Sequence, residues 1–353
     1  MKSKVIYLLA CLFAWSCADD DQIQVVDESV KGLSFELNAV SGMQIGTRAG
    51  SPIYSQEASQ KVTRVSVYAF KKSGDSFLFA KSFTVPGWTL GTTTLIYAVA
   101  ENDKLSPGDY KFLAIGRDAT DNFALTIPTA DTTTIEEMYA AITNSGDESE
   151  IFADVKEAIV TDAGTRVSLN MTRKVAGLLG YFKNVPQILN TKTVKFLRLS
   201  ISASDKSVNL ATGVGAQPSA GYNIFNMDLS GQTVSNGYYT GNDLSGAGVI
   251  KLTNSQLMGS YLMPVSSVSM TLGLYDDTNA ALKEWSVRNS SVASFDVLAN
   301  HFYSLGVKTS TTSTNGGGGE GATPDNAIDL SVNDEITISI TPGWAVIHNL
   351  TIQ

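Results

Sequence analysis

The sequence predicts an all-β protein built of β-sandwiches, and three observations lead there. Apolar residues recur with period two along much of the chain, the pattern of strands with one buried face. Polar turn clusters break these runs at short intervals. The chain has 353 residues, 43% of them hydrophobic and 17% charged, which is room for two ordinary cores and too much for one sandwich.

The elements follow in chain order. Met1 to Lys4 is a short basic region, Val5 to Phe13 an apolar run, and Ala14-Trp15-Ser16-Cys17 a cleavage-type ending. Nine apolar residues are too few to cross a bilayer, so residues 1–16 read as a secretory signal. An ending in Cys resembles a bacterial lipoprotein signal, which makes Cys17 the expected lipidation site and Cys11 an ordinary residue of the apolar run. Residues 17–32, opening with Ala18-Asp19-Asp20-Asp21, form an acidic tether. In Leu33, Phe35, Leu37 and Ala39, alternating with Ser34, Glu36 and Asn38, the first strand of the body is expected. A Gly-rich loop with one basic residue follows, Gly46-Thr47-Arg48-Ala49-Gly50, open to a trypsin-like protease between Arg48 and Ala49.

Further alternating runs occupy Val65 to Ala69, Val167 to Met171, Val268 to Leu274 and Tyr303 to Val307, with turns at 72–75, 106–109 and 276–279. One helix is expected at 134–144: Thr134 and Glu137 have capping-box spacing, and Ile135, Met138, Tyr139 and Ile142 share a helical face. A second short helix is weakly signalled near 187–191 or 254–259. The domain boundary is placed near Thr172 to Gly177, giving sandwiches at 49–175 and 176–353 that pack together, since no Pro- or Ser-rich linker separates them. After the polar, glycine-rich stretch 309–326 come apolar-faced strands, with Ile336, Ile338 and Ile340 in one and Val346, Leu350 and Ile352 in the next. Such strands complete their own sheet or are given to a neighbour's.

The composition excludes several functions. Net charge is −9 with no basic run longer than a pair, so nucleic acid is not an expected partner. Two His and two Cys leave few parts for zinc sites or nucleophilic triads, and His301 and His348 read as structural. Gly316, Gly318 and Gly321 match the dinucleotide fingerprint only because their stretch is nearly all glycine; no strand precedes it and Pro324 follows. Asp276-Asp277 and Asp325/Asp329 read as turn residues rather than a catalytic carboxylate pair. Trp88, after Pro86-Gly87, is the tryptophan expected at the surface as a sugar platform, while Trp285 and Trp344 are expected in the core. No enzyme activity, metal or cofactor is expected.

Taken in order, the Cys17 signal, Thr47-Arg48-Ala49, Val62 to Phe70, Pro107-Gly108-Asp109-Tyr110, Phe112 to Gly116, Val167 to Ala176, Tyr261 to Pro264, Leu298 to Tyr303 and Ile328 to Trp344 resemble the Bacteroidetes-type fimbrillins. These are FimA/FimB-like lipoprotein pilins. The resemblance implies two transthyretin-like β-sandwiches in tandem, with the short helix in the first. It implies a structural subunit of a cell-surface fimbria, lipid-anchored in the outer membrane through Cys17 and able to meet a host or bacterial surface ligand. Cleavage between Arg48 and Ala49 would remove the strand carrying Leu33, Phe35 and Leu37 (residues 33–48 with its loop). Another subunit's C-terminal strand, matching Ile336, Ile338, Ile340, Val346, Leu350 and Ile352 here, would then fill the groove. The family also contains anchor subunits that keep lipid and strand, so shaft, tip and anchor are all open, and a surface lipoprotein that binds polysaccharide is the alternative outside the fimbria.

Overall fold

The computed structural model describes residues 32–39, 60–244, 252–308 and 326–344. Cys17, Arg48, Ala49, Asp325, His348, Val346, Leu350 and Ile352 lie outside them, as do the signal, residues 17–31 of the tether and the glycine stretch.

The described chain is all β, as the alternation requires. The first strands are β1 (Leu33–Ala39), β2 (Arg64–Ser73), β3 (Ser76–Val85), β4 (Thr94–Ala98), β5 (Gly108–Arg117), β6 (Ala124–Leu125), β7 (Tyr139–Ala141), β8 (Ile151–Val160), β9 (Thr165–Arg173) and β10 (Ala176–Lys183). Next come β11 (Ile188–Leu189), β12 (Lys192–Thr193), β13 (Phe196–Asn209), β14 (Gly215–Asp228), β15 (Val234–Ser235), β16 (Tyr238–Tyr239), β17 (Ser255–Leu262) and β18 (Val265–Val268). The last are β19 (Met270–Tyr275), β20 (Ala281–Arg288), β21 (Phe295–Val297), β22 (Phe302–Leu305), β23 (Ile328–Asp329), β24 (Ile336–Thr337) and β25 (Ser339–Thr341).

Seven strands form the first sheet in the order β3-β2-β5-β8-β9-β1-β4. It curls on itself so that Phe35 of β1 meets Phe83 of β3 and Phe112 of β5, enclosing one apolar core. Turn chemistry sets the β2–β3 hairpin: Gly74 at φ +61° supplies the left-handed residue that a tight turn needs. Two further sheets face each other over a second core. One runs β24-β20-β19-β13-β7-β6 with β14 along β13; the other runs β17-β10-β22-β25 with β23 on β10. A third cluster joins the outer face of β2, β5 and β8, through Phe70, Leu113 and Ile115, to Leu179, Tyr261, Phe302 and Trp344. β10 is therefore apolar on both faces, with Leu178 in one cluster and Leu179 in the other.

Both helix expectations are corrected. The capping box at Thr134 and Glu137 forms, but it starts only a single 3-10 turn, Ile135–Glu137. Met138 is already extended, and Tyr139–Ala141 pairs with the end of β13, Asn209 to Ser207. An open strand edge offers this segment ladder hydrogen bonds together with burial of Ala140, and that outweighs a helical preference only a few residues long. Near 187–191 the chain forms β11 and the turn after it, with Asn190 and Thr191 at positive φ, and 255–259 lies in β17.

Candidate functional site

Two places carry the residues singled out above: the seat of β1 and the seat of the C-terminal segment. β1 lies between β9 and β4. It pairs with β9 in parallel, from Leu33 against Thr165 to Ala39 against Met171, and with β4 in antiparallel from Ser34 to Asn38. β4 has no sheet partner other than β1 among the described residues. Leu33, Phe35, Leu37 and Ala39 all point into the first core, where Phe35 is 0% exposed with ring centroids of Phe112 at 5.1 Å, Phe83 at 5.6 Å and Tyr97 at 6.4 Å.

The outward face of β1 is also partnered. Asn38 donates through Nδ2 to Oδ1 of Asn170 at 3.0 Å and accepts from Thr94 Oγ1 at 2.9 Å, so one amide crosses all three strands. Glu36 faces Arg166 at 3.2 Å. Seven residues of β9 and five of β4 would lose their partner if β1 were withdrawn, together with the apolar wall it supplies.

At the other end, Ile336 and Ile338 are buried in the second core and Ile340 packs against it, so all three complete this chain's own sandwich. Within six residues the segment crosses between sheets: Ile336 pairs with Val287 of β20, and Ser339 to Thr341 pair with Ser304 to Phe302 of β22. Trp344 then seats in the shared cluster, 4.9 Å from Phe302 and 5.9 Å from Tyr261, its backbone N–H donating to Asn300 O at 2.6 Å. Gly177 opposite must lack a side chain, because a Cβ there would stand 2.6 Å from the indole.

A buried ion pair that sequence reasoning missed holds this seat. Arg173, 2% exposed, donates through Nε to Glu150 Oε1 at 2.7 Å and through Nη1 to Trp344 O at 2.8 Å, and its guanidinium lies 4.1 Å from the Trp344 ring. Glu150 Oε2 accepts the Lys61 backbone N–H at 3.0 Å. The signal was present: Arg173 shares the parity of Val167, Leu169 and Met171, so it points inward by the alternation alone. Tyr261, fully enclosed beside Glu150, has its ionisation raised by burial first and by that carboxylate second.

The remaining candidates are placed differently from a catalytic or sugar site. Trp88 is corrected from surface platform to core residue, at 5% exposure, and Trp285 and Trp344 are buried as expected. Asp276 is a turn residue: its Oδ1 accepts from Thr278 N, Thr278 Oγ1 and Ala280 N, and Lys192 lies 2.7 Å from Oδ2. Those contacts, the Lys192 bond first, hold its carboxyl well below the usual range. Asp329 accepts from Ser331, and His301 sets Nδ1 against its neighbour Ala299 O.

Glu148 is pushed into the neutral range, to about 7 from 4.5, chiefly by burial. Tyr222 Oη donates to its Oε1 at 3.1 Å and Gly146 N to its Oε2 at 2.7 Å, which only partly offset the burial, while Asp147 adds to it. The folded state thus holds this proton more tightly than the unfolded one. The contribution of Glu148 to stability is full below pH 4.5 and is lost as pH rises through 7, about 3 kcal/mol in all at about 1.4 kcal/mol per unit. Denaturant titrations across this window should show the decline in the native protein and its loss in Glu148→Gln.

A family model described as fimbrillin-A associated anchor proteins Mfa1 and Mfa2 matches residues 38–349. Among solved structures, the fimbrial anchor protein Mfa2 of Porphyromonas gingivalis is similar at 13% identity over 77% of this chain and 90% of that one, with TM-score 0.44. A candidate cell adhesion protein of Parabacteroides distasonis is similar at 11% identity over 90% and 98%, TM-score 0.48. A candidate adhesin of Bacteroides ovatus is similar at 16% identity over 72% and 76%, TM-score 0.43. No curated protein sequence matches the chain. With most of its length matched by that one family model, the chain belongs to the family of fimbrillin-A associated anchor proteins Mfa1 and Mfa2.

Proposed function

We propose that this fimbrial subunit of the cell surface is an anchor: Cys17 carries the lipid in the outer membrane, β1 stays in place, and the C-terminal segment stays in its own chain. The observation that carries this reading is the seat of Ile336 to Trp344. A segment that crosses both sheets of its own sandwich and ends under a buried Arg173 is occupied at home and is a poor donor to a neighbour. The fimbrial partner is then held by other surfaces of the chain, and the role is structural, with no catalytic step and no cofactor. Its two units are taken as 49–175, completed by β1, and 176–353, whose sheet is extended by β7 and β6 from the first range.

The second reading is a polymerising subunit, cut between Arg48 and Ala49 and joined to other fimbrial subunits by strand exchange. The position of β1 between β9 and β4 favours it, because withdrawal would leave an apolar slot of strand length. N-terminal sequencing and intact mass of the protein from its native surface distinguish the two. An acylated start at Cys17, lost in Cys17→Ser, is the expected result. A start at Ala49, with ladders resistant to detergent, would overturn the anchor reading in favour of polymerisation.

A further inference from the structure

Contacts from Lys61 and from Trp344 meet at one buried ion pair, Glu150 and Arg173. Glu150 Oε2 holds the backbone of Lys61, one residue after the described chain resumes beyond β1, and Oε1 holds Arg173. Arg173 is the last residue of β9, the strand along which β1 lies in parallel, and Ala39 at the end of β1 is opposite Met171, two residues before it. The same guanidinium donates to the carbonyl of Trp344 and covers its ring, with Phe152 4.9 Å away. Glu150, Arg173 and Trp344 are all buried. At that depth no bulk water is at hand to replace a lost partner, so the pair is either fully made or displaced as a unit.

We propose that this chain of contacts is a latch that couples the seating of β1 to the seating of the C-terminal segment. β9 is held by β1 along 165–171 and by β8 at Thr172 and Arg173, and with both in place Arg173 is held against Glu150 and Trp344 is pinned. When β1 leaves, β9 loses its seven-residue partner and keeps only the short pairing to β8 at Arg173, which loosens the guanidinium that donates to the Trp344 carbonyl and covers its ring. Coupling of this kind is reciprocal, so loosening Trp344 also loosens β1. The coupling itself stands on these contacts alone, whereas its meaning rests on the reading above: an anchor that keeps β1 thereby keeps its C-terminal segment, and a chain that loses β1 frees it.

Hydrogen exchange read by mass spectrometry on the intact, unprocessed full-length chain tests the latch. Trp344→Ala, and separately the milder Arg173→Lys, should speed amide exchange in 33–39 as well as in 336–341. The expected factor is between about 5 and 150, the usual span of such couplings. Exchange in Met270–Tyr275, on the far sheet, should stay unchanged. Faster exchange in 336–341 with 33–39 unaltered would overturn the latch, and so would an equal rise in Met270–Tyr275, which signals general loss of stability. No processing enters this experiment, so its outcome and that of the native N-terminus are separately readable.

Discussion

Phe35→Ala should lower the unfolding free energy by about 3–5 kcal/mol, the range for removing a fully buried aromatic side chain. Phe35 touches rings from three other strands, so truncation opens a cavity where β3, β4 and β5 converge on β1. Its neighbour supplies the contrast. Glu36 points outward to a half-buried Arg166, and Glu36→Ala should change stability by at most about 1 kcal/mol, as for exposed pairs generally. Urea unfolding of both variants measures the difference, and equal effects would contradict the inward seat of Phe35. The loss matters beyond β1, because β4 is attached through β1.

Glu150→Ala should be as severe, at about 3–5 kcal/mol, because it removes the carboxylate bonded to an interior guanidinium. Arg173 would keep its bond to Trp344 O and its stacking on two rings but lose the 2.7 Å bond to Glu150 Oε1. The Lys61 N–H would lose its acceptor as well. Adding Arg173→Met to Glu150→Ala removes the buried cation as well as its carboxylate, and the double variant is expected to recover most of the loss. The recovery, again by urea unfolding, separates an electrostatic penalty from simple loss of packing. A double variant no better than Glu150→Ala would assign the site to packing alone.

How far these sites could be read beforehand depends on the range of the force involved. The inward face of β1 was legible, because Leu33, Phe35, Leu37 and Ala39 alternate without a break and all four are buried. The turn role of Asp276 was legible too, since a short carboxylate bonds its own following N–H groups. The expected helix at 134–144 failed where local and distant preferences meet: its capping box is real, but the strand edge at Ser207 to Asn209 lies far along the chain. Trp88 was misjudged for a similar reason, as an adjacent Pro-Gly turn says nothing of what packs over the indole.

The sequence by itself determined the all-β class, the inward parity of each long strand and the local chemistry of its turns, all consequences of contacts within a few residues. Only the tertiary structure decided that β1 runs parallel to β9, that Ile336 to Ile340 close their own sandwich, and that Arg173 pins Trp344. Asn38 and Asn170 are 132 residues apart, and Arg173 and Trp344 are 171 apart. A two-residue repeat tells which face of a strand turns inward; it is the same for every partner and either direction, so the choice falls to the packing of the assembled core.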